Sequence, residues 1–204
     1  MRKYNLNEHF FDVLNEKSAY WLGFLYADGF VRMKDGRSGE LKLKLKDTDK
    51  GHIEKFLNHL GCKKQIKCGV DGKSKFCSVS IYSTILVKKL FELGCVNNKT
   101  QKIRLPNLNQ DLMPHFIRGY FDGDGCIYKV KQKHNSFVVT ICSNKSFNDD
   151  VIKLLGYGKD YKYENYSIIN FSKKIEVINF RDYIYTNAET FLERKQIKFK
   201  QIIE

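Results

Sequence analysis

Trp21-Leu22-Gly23-Phe24-Leu25-Tyr26-Ala27-Asp28-Gly29 and Ile117-Arg118-Gly119-Tyr120-Phe121-Asp122-Gly123-Asp124-Gly125 are two versions of one pattern. Each has large apolar residues, a Gly, a small residue four positions later, and then Asp-Gly. Positions 28 and 124 lie 96 residues apart in a chain of 204, close to half its length, which points to an internal duplication. Each copy reads as the last turns of a helix, because its apolar run is too continuous for a solvated face and Gly29 or Gly125 marks the stop. Gly23 with Ala27, and Gly119 with Gly123, fall on one helical face each. Such a face is smooth enough for two backbones to approach closely.

If the two helices pack through those faces, Asp28 and Asp124 emerge side by side at the same end. That end carries the negative pole of both helix dipoles, so two adjacent carboxylates there call for a cation between them. A pair of Mg²⁺-class ions meets that need. The plain alternative, an Asp-Gly turn capping each helix at the surface, fits one isolated copy well. Two copies at half-chain spacing, each with the small-residue face, count against it.

The surrounding composition narrows the partner. Formal net charge is +13, with 36 Lys and Arg against 23 Asp and Glu, and a cationic surface of that size favours a polyanion, nucleic acid first. There is no run of 18 apolar residues and no hydrophobic signal core behind Met1-Arg2-Lys3, so the expectation is an intracellular protein without a membrane. Six cysteines (62, 68, 77, 95, 126, 142) form no C-x-x-C pair, and the histidines complete no zinc spacing. An even count also allows disulfides, but most are expected to be reduced, half-buried small residues.

Outward from the first copy, Ser18 is the expected N-cap. A short strand follows at 30–33, then Glu40-Leu41-Lys42-Leu43-Lys44-Leu45-Lys46, which alternates strictly and sets its leucines against its lysines. Residues 49–60 read as an amphipathic helix, 65–70 and 75–81 as a hairpin around Asp71-Gly72-Lys73, and 83–93 as a helix. After a linker at 95–109 the order recurs: a helix at 111–121, strands at 126–133 and 136–142, a helix at 146–155, a hairpin of 157–163 with 166–171, and a helix at 172–185. The expected class is α+β, two pseudo-symmetric αββαββα repeats at 1–94 and 110–204, whose antiparallel sheets leave one face open as a concave surface. The tail adds a basic segment in which Arg194, Lys195, Lys198 and Lys200 meet no acidic residue, either a solvated terminus or a phosphate-contacting arm.

B-DNA fits such a surface, because a two-stranded ribbon enters the major groove and aims alternate side chains at phosphates and base edges. Candidate contacts are Lys42, Lys44, Lys46, Lys73 and Lys75 in the first half. In the second they are Lys129, Lys131, Gln132, Lys133, Asn135, Lys162 and Tyr163, with Arg194 and Lys198 from the tail. The central carboxylates would then hold Mg²⁺, orient water for in-line attack and neutralise the leaving 3′ oxygen. Two carboxylates are an incomplete shell. Phosphate oxygens, waters and the backbone carbonyls of Ala27 and Gly123 would finish it. Lys99 and Lys195 repeat the 96-residue offset, so they either stabilise the pentavalent phosphate or simply neutralise backbone.

These residues resemble the LAGLIDADG homing endonuclease family in its single-chain, two-repeat form. The likeness rests on the two nonapeptides, on Tyr20-Trp21-Leu22-Gly23, on Asn98-Lys99-Thr100, and on Tyr185-x-x-Ala188 leading to Leu192-Glu193-Arg194-Lys195. It implies a DNA-binding saddle and a monomer without an obligate protein partner. It also implies hydrolysis of one phosphodiester in each strand of a long asymmetric double-stranded target, with 3′ overhangs. Mg²⁺ would be the cofactor, with Mn²⁺ as substitute, and intron homing the setting. The metal-binding acid of the motif falls on Asp28 and Asp124. The earlier acid is kept as Asp122 but is Tyr26 in the first copy, which reads as a packing or capping change. A non-cleaving binder, such as an intron RNA maturase or a DNA-binding regulator, is the alternative.

Overall fold

The computed structural model describes residues 4–33, 38–96, 102–130 and 137–202. The first motif forms helix α1 (Glu16–Asp28) and the second forms α4 (Met113–Asp124), with Pro114 in its first turn, where a missing N–H costs nothing. The two helices pack on each other along the small-residue faces. A Cβ added to Gly23 would lie 1.9 Å from the Phe116 carbonyl oxygen, and one on Gly119 would lie 1.9 Å from that of Tyr20. One on Gly123 would come within 2.3 Å of the Ala27 methyl. Only hydrogen fits at these three positions, so the spacing of small residues sets the distance between the halves.

The N-terminus of α1 differs from the sequence expectation. Asn15 is the N-cap, and its side chain accepts from the Ser18 N–H while the Ser18 hydroxyl accepts from the Asn15 N–H. Ser18 is therefore the third helical residue of a reciprocal capping box, one turn inside the boundary.

Each motif helix runs directly into a strand. Strands β1 (Gly29–Arg32), β2 (Glu40–Lys46), β3 (Lys67–Asp71) and β4 (Ser74–Tyr82) form an antiparallel sheet in the order β1-β2-β4-β3. Strands β5 (Gly125–Lys129), β6 (Phe137–Ser143), β7 (Lys159–Lys162) and β8 (Ser167–Phe171) repeat that order as β5-β6-β8-β7. Helices α2 (Lys50–His59) and α3 (Thr84–Glu92) pack on the first sheet, and α5 (Lys145–Leu155) and α6 (Lys174–Tyr185) on the second. Leu41, Leu43 and Leu45 are buried, as the alternation requires. Turn chemistry falls where expected: Gly61, Gly72, Gly94 and Gly156 all have positive φ at ends of helices or of the β3–β4 hairpin. One hydrophobic core runs through both halves, from Trp21, Phe24 and Phe56 to Phe121, Phe147 and Phe180.

Two features of the fold were not visible in the sequence. Cys68 and Cys77 face each other in the β3–β4 register and are joined by a disulfide, the lesser of the two readings of the cysteines, while the other four are free thiols. The pairing follows from the hairpin: the Asp71-Gly72-Lys73-Ser74 turn puts these two residues opposite one another, nine positions apart. Cys62 and Cys95 are buried thiols, whereas Cys126 and Cys142 are exposed ones. The second feature is a polar seam. Arg118, fully buried on α4, pairs with Glu16 at the start of α1 and donates to the carbonyls of Ile184 and Thr190, both at 2.7 Å. Glu16 also accepts from the Thr190 N–H at 2.9 Å. The seam fastens the C-terminal segment to both central helices, and α7 (Glu193–Lys200) follows it.

Candidate nucleic-acid interface and carboxylate pair

The packing of α1 on α4 brings Asp28 and Asp124 out at one end of the helix pair, both exposed. A Cβ on Gly123 would sit 3.3 Å from Asp28 Oδ2, so the first carboxylate reaches across to the second helix beside Asp124. Neither helix carries a basic residue in its last turn. Two carboxylates at two negative dipole ends form a set of hard oxygen donors. Among the described residues, no group of three His, Cys, Asp or Glu forms a cage. The donor chemistry fits a Mg²⁺- or Ca²⁺-class ion that completes its shell from outside the protein.

Lys195 meets this end from α7, buried to 4% exposure. Its ammonium donates to the carbonyls of Phe121 at 2.5 Å, Gly125 at 2.8 Å and Gly123 at 3.4 Å. Burial lowers its pKa from 10.5 to about 8, opposed by the nearby charges of Asp122, Asp28 and Asp124. With its three protons directed at backbone, Lys195 acts as a cap on the C-terminus of α4. Of the two roles open in the sequence, backbone neutralisation is the one this geometry favours. Lys99 lies outside the described residues.

Behind the carboxylates, Asp122 is buried and accepts from the Tyr20 hydroxyl at 2.8 Å and from the Leu192 N–H at 2.7 Å. Burial raises its pKa to about 6. Tyr20 gives its proton to Asp122, so His52 Nε2, 2.9 Å from the same hydroxyl, donates to it. His52 Nδ1 is then a bare acceptor, buried without a hydrogen-bond partner. Burial, and then the charges of Lys55 and Arg194, push the pKa of His52 down to about 3. Tyr26, in the place of Asp122 in the first copy, donates to the Leu93 carbonyl at 2.6 Å and packs edge-on against Phe116. It is a packing and capping residue, as read from the sequence. The chain Asp122–Tyr20–His52 had no sequence signal, since Tyr20 and Asp122 are 102 positions apart.

The register decides which candidate contacts share a face. On the first sheet, Lys42, Lys44 and Lys46 point away from the helices with Ser80, Ser78 and Phe76 opposite them, and Arg32 and Lys67 join the same face. An open concavity of about 670 Å³ is lined by Asp28, Lys44, Lys46, Lys75, Phe76 and Arg194, so these strands border the first carboxylate. Lys44 is not bare: it donates to Asp71 at 2.8 Å and lies over the Phe76 ring. Arg194 holds Asp49 through Nε and Nη2, at 3.0 and 2.9 Å, so it enters the site already paired. Lys198 is exposed on α7, near the Ile127 carbonyl at 3.4 Å. Lys73 occupies the tip of the β3–β4 hairpin.

Lys75, at the start of β4, opposes Val70 with the parity of buried Cys77 and Val79, yet it lines the concavity with Lys44 and Lys46. Two candidates fall on the wrong face. Lys129 opposes Phe137 with the parity of Ile127, and Lys162 opposes buried Ser167. The period of two in a strand places them on the helix side of the sheet, at its margins. Tyr163 stacks on Tyr166 at the β7–β8 turn, 4.7 Å between ring centroids. Lys131, Gln132, Lys133 and Asn135 lie outside the described residues.

Comparison with known proteins comes to the same architecture. Residues 111–162 match the family model of the LAGLIDADG-like domain. Over 93% of its length the chain is similar, at 26% identity, to the replication factor C small subunit of Methanocaldococcus jannaschii. The aligned region is 10% of that protein, so the chain spans about a tenth of the length of this relative. The LAGLIDADG meganuclease I-AabMI, bound to uncleaved DNA, superimposes with a TM-score of 0.62 at 16% identity, covering 93% of this chain and 89% of its own. I-SmaMI, bound to an uncleaved DNA target in the presence of calcium ions, gives 0.62 at 13% identity, with 94% and 90% covered. Identity at this level carries the fold. The chain has the fold of the single-chain LAGLIDADG homing endonucleases, and residues 111–162 of its second repeat match the LAGLIDADG-like domain in sequence.

Proposed function

We propose that this chain, with its LAGLIDADG fold and paired motif acids, is a site-specific endonuclease that hydrolyses one phosphodiester in each strand of double-stranded DNA. The single observation that carries the reading is the placement of Asp28 and Asp124 side by side at the end of the α1–α4 pair, beside an open, cationic strand face. The DNA-bound states of I-AabMI and I-SmaMI support the choice of partner.

In this reading Asp28 and Asp124 hold divalent cation, with the carbonyls of Ala27 and Gly123 within reach of the same end, and Mg²⁺ is the expected ion with Mn²⁺ as substitute. A cation bound there supplies charge neutralisation at the scissile phosphate and a template for in-line attack by water. The protein's own part is positioning. The glycine contacts fix the separation of the two carboxylates, Lys195 holds the last turn of α4, and the cationic open face of the first sheet, with Lys42, Lys44 and Lys46, receives the duplex. Hydrolysis of both strands then follows from having two acids related by the repeat, one for each strand, with 3′ overhangs as the family resemblance implies.

The deciding experiment is cleavage selection from a randomised duplex library in Mg²⁺, with Asp28→Asn and Asp124→Asn as controls. Each variant is expected to retain DNA affinity and lose double-strand cleavage by a factor of about 100 or more, on the scale of removing an essential charge stabiliser. Cleavage undiminished in either variant refutes the assignment. Selective binding without cleavage by the unmodified protein in Mg²⁺ or Mn²⁺ would instead establish the maturase-like or regulatory alternative.

A further inference from the structure

The two sheets superimpose by register, and the superposition exposes a chemical asymmetry. Gly29 pairs with Leu43 where Gly125 pairs with Ile141, and Val79 and Ile169 occupy the next strand at that level. Position by position on the open face, Arg32 corresponds to Tyr128, Lys42 to Thr140, Lys44 to Cys142 and Lys67 to Tyr161. Four cations of the first face are thus neutral in the second. The acid Glu40 has Val138 as its counterpart, and Ser78 and Ser80 have Ile168 and Asn170. Among the described strand residues of the second open face, Lys159 is the one cation. The duplicated strands agree in pleat and pairing and differ in what they present.

Resting on the proposed DNA-binding function, we infer that the two half-sites are read by different chemistry. The base pairs beneath the strands of the first sheet are rich in G·C, and those beneath the strands of the second are rich in A·T. Lysine and arginine donate to the O6 and N7 acceptors that guanine displays in the major groove. Lys42 and Lys67 offer such donors, Arg32 and Lys44 add theirs on release from Glu40 and Asp71, and the serines between them suit either base. The second face offers apolar and hydroxyl-bearing groups, Ile168, Thr140 and Cys142, which suit the C5-methyl of thymine. Asn170 adds an amide, the side chain that pairs with adenine N6 and N7.

The test is selection of bound duplexes from a fully randomised library, using the Asp28→Asn/Asp124→Asn protein so that cleavage does not deplete the pool. It is repeated with Asn170→Ala or Lys42→Ala added. The expected result is a target with one half A·T-rich and the other G·C-rich. Asn170→Ala should lower the preference for one adenine about tenfold in the A·T-rich half, and Lys42→Ala should relax one guanine in the other. Enrichment of a sequence whose halves share one composition overturns the inference while leaving DNA recognition intact. So does relaxation of a G·C pair by Asn170→Ala. Failure to enrich any sequence removes the DNA-binding reading itself, and this inference with it.

Discussion

At the residue scale, two buried titratable groups on one hydrogen-bonded chain oppose each other in pH. His52 is depressed from 6.5 to about 3, so the unfolded chain binds its proton more tightly, and stability falls as pH drops through that window. Asp122 is raised from 3.8 to about 6, so the folded state binds its proton more tightly, and stability rises as pH drops from 6 towards 4. Between pH 6 and 4 the two effects run in opposite directions and largely offset each other. Replacement His52→Gln should leave the gain from Asp122, with stability rising as pH drops, while Asp122→Asn should leave the loss from His52, with stability falling. Thermal melts at pH 4, 5 and 6 measure both slopes, and identical slopes in the three proteins would contradict the assignment. Lys195, held near 8 against 10.5, works in the same sense as His52: its contribution improves as pH rises from about 8 to 10.5.

At the element scale, the α1–α4 crossing is set by atoms that are absent. Gly23→Ala or Gly119→Ala would drive a methyl into an opposing carbonyl oxygen, and the helices must separate to accept it. Overpacking of this kind costs about 1–3 kcal/mol or more, and it moves the carboxylates apart. Expected outcomes are a lower melting temperature and weaker cleavage for each variant, with Gly51→Ala, whose added Cβ meets nothing within 4 Å, as the neutral control. The Arg118–Glu16 pair sits at the other end of the crossing. Glu16→Ala would strand a fully buried guanidinium, a loss of about 3–5 kcal/mol that chemical denaturation would register. The β3–β4 disulfide closes a short loop, and a reductant should lower stability by about 2–3 kcal/mol. No change in midpoint with and without reductant would show the bond to be energetically silent.

At the scale of the whole molecule, charge is distributed unevenly over a symmetric frame. Replacing Lys42, Lys44 and Lys46 together by alanine should lower the slope of log affinity against log salt by about 0.9 for each phosphate no longer neutralised. Lys129→Ala and Lys162→Ala, on the opposite face by register, should leave that slope nearly unchanged. Equal effects from the two sets would mean that the duplex touches the sheet margins as much as its open face. Among the described residues no helix is long and apolar enough to cross a membrane, and the large apolar surfaces are spent inside the shared core.

Much of this architecture was legible in the chain itself. The duplicated nonapeptides gave the helix pair, the alternation in Glu40–Lys46 gave its strand and its buried leucines, and Asp71-Gly72 gave its hairpin, because each is written in neighbouring residues. Small residues four apart on a helix, and a period of two in a strand, are local rules. What needed the tertiary structure were partners distant in sequence. Tyr20 and Asp122, Arg118 and Glu16, Arg194 and Asp49 meet only when the repeats close on each other, and no local period encodes such a meeting. The same limit explains the lysines placed on the wrong face: a strand boundary misjudged by a few residues says little about which parity lies over the helices, and the ladder decides it. The sequence by itself determined a two-fold frame with one acid per half. The folded chain decided that the capping lysine is spent on backbone, that three of the site's cations, Arg32, Lys44 and Arg194, already hold acids, and that the two halves present unlike faces.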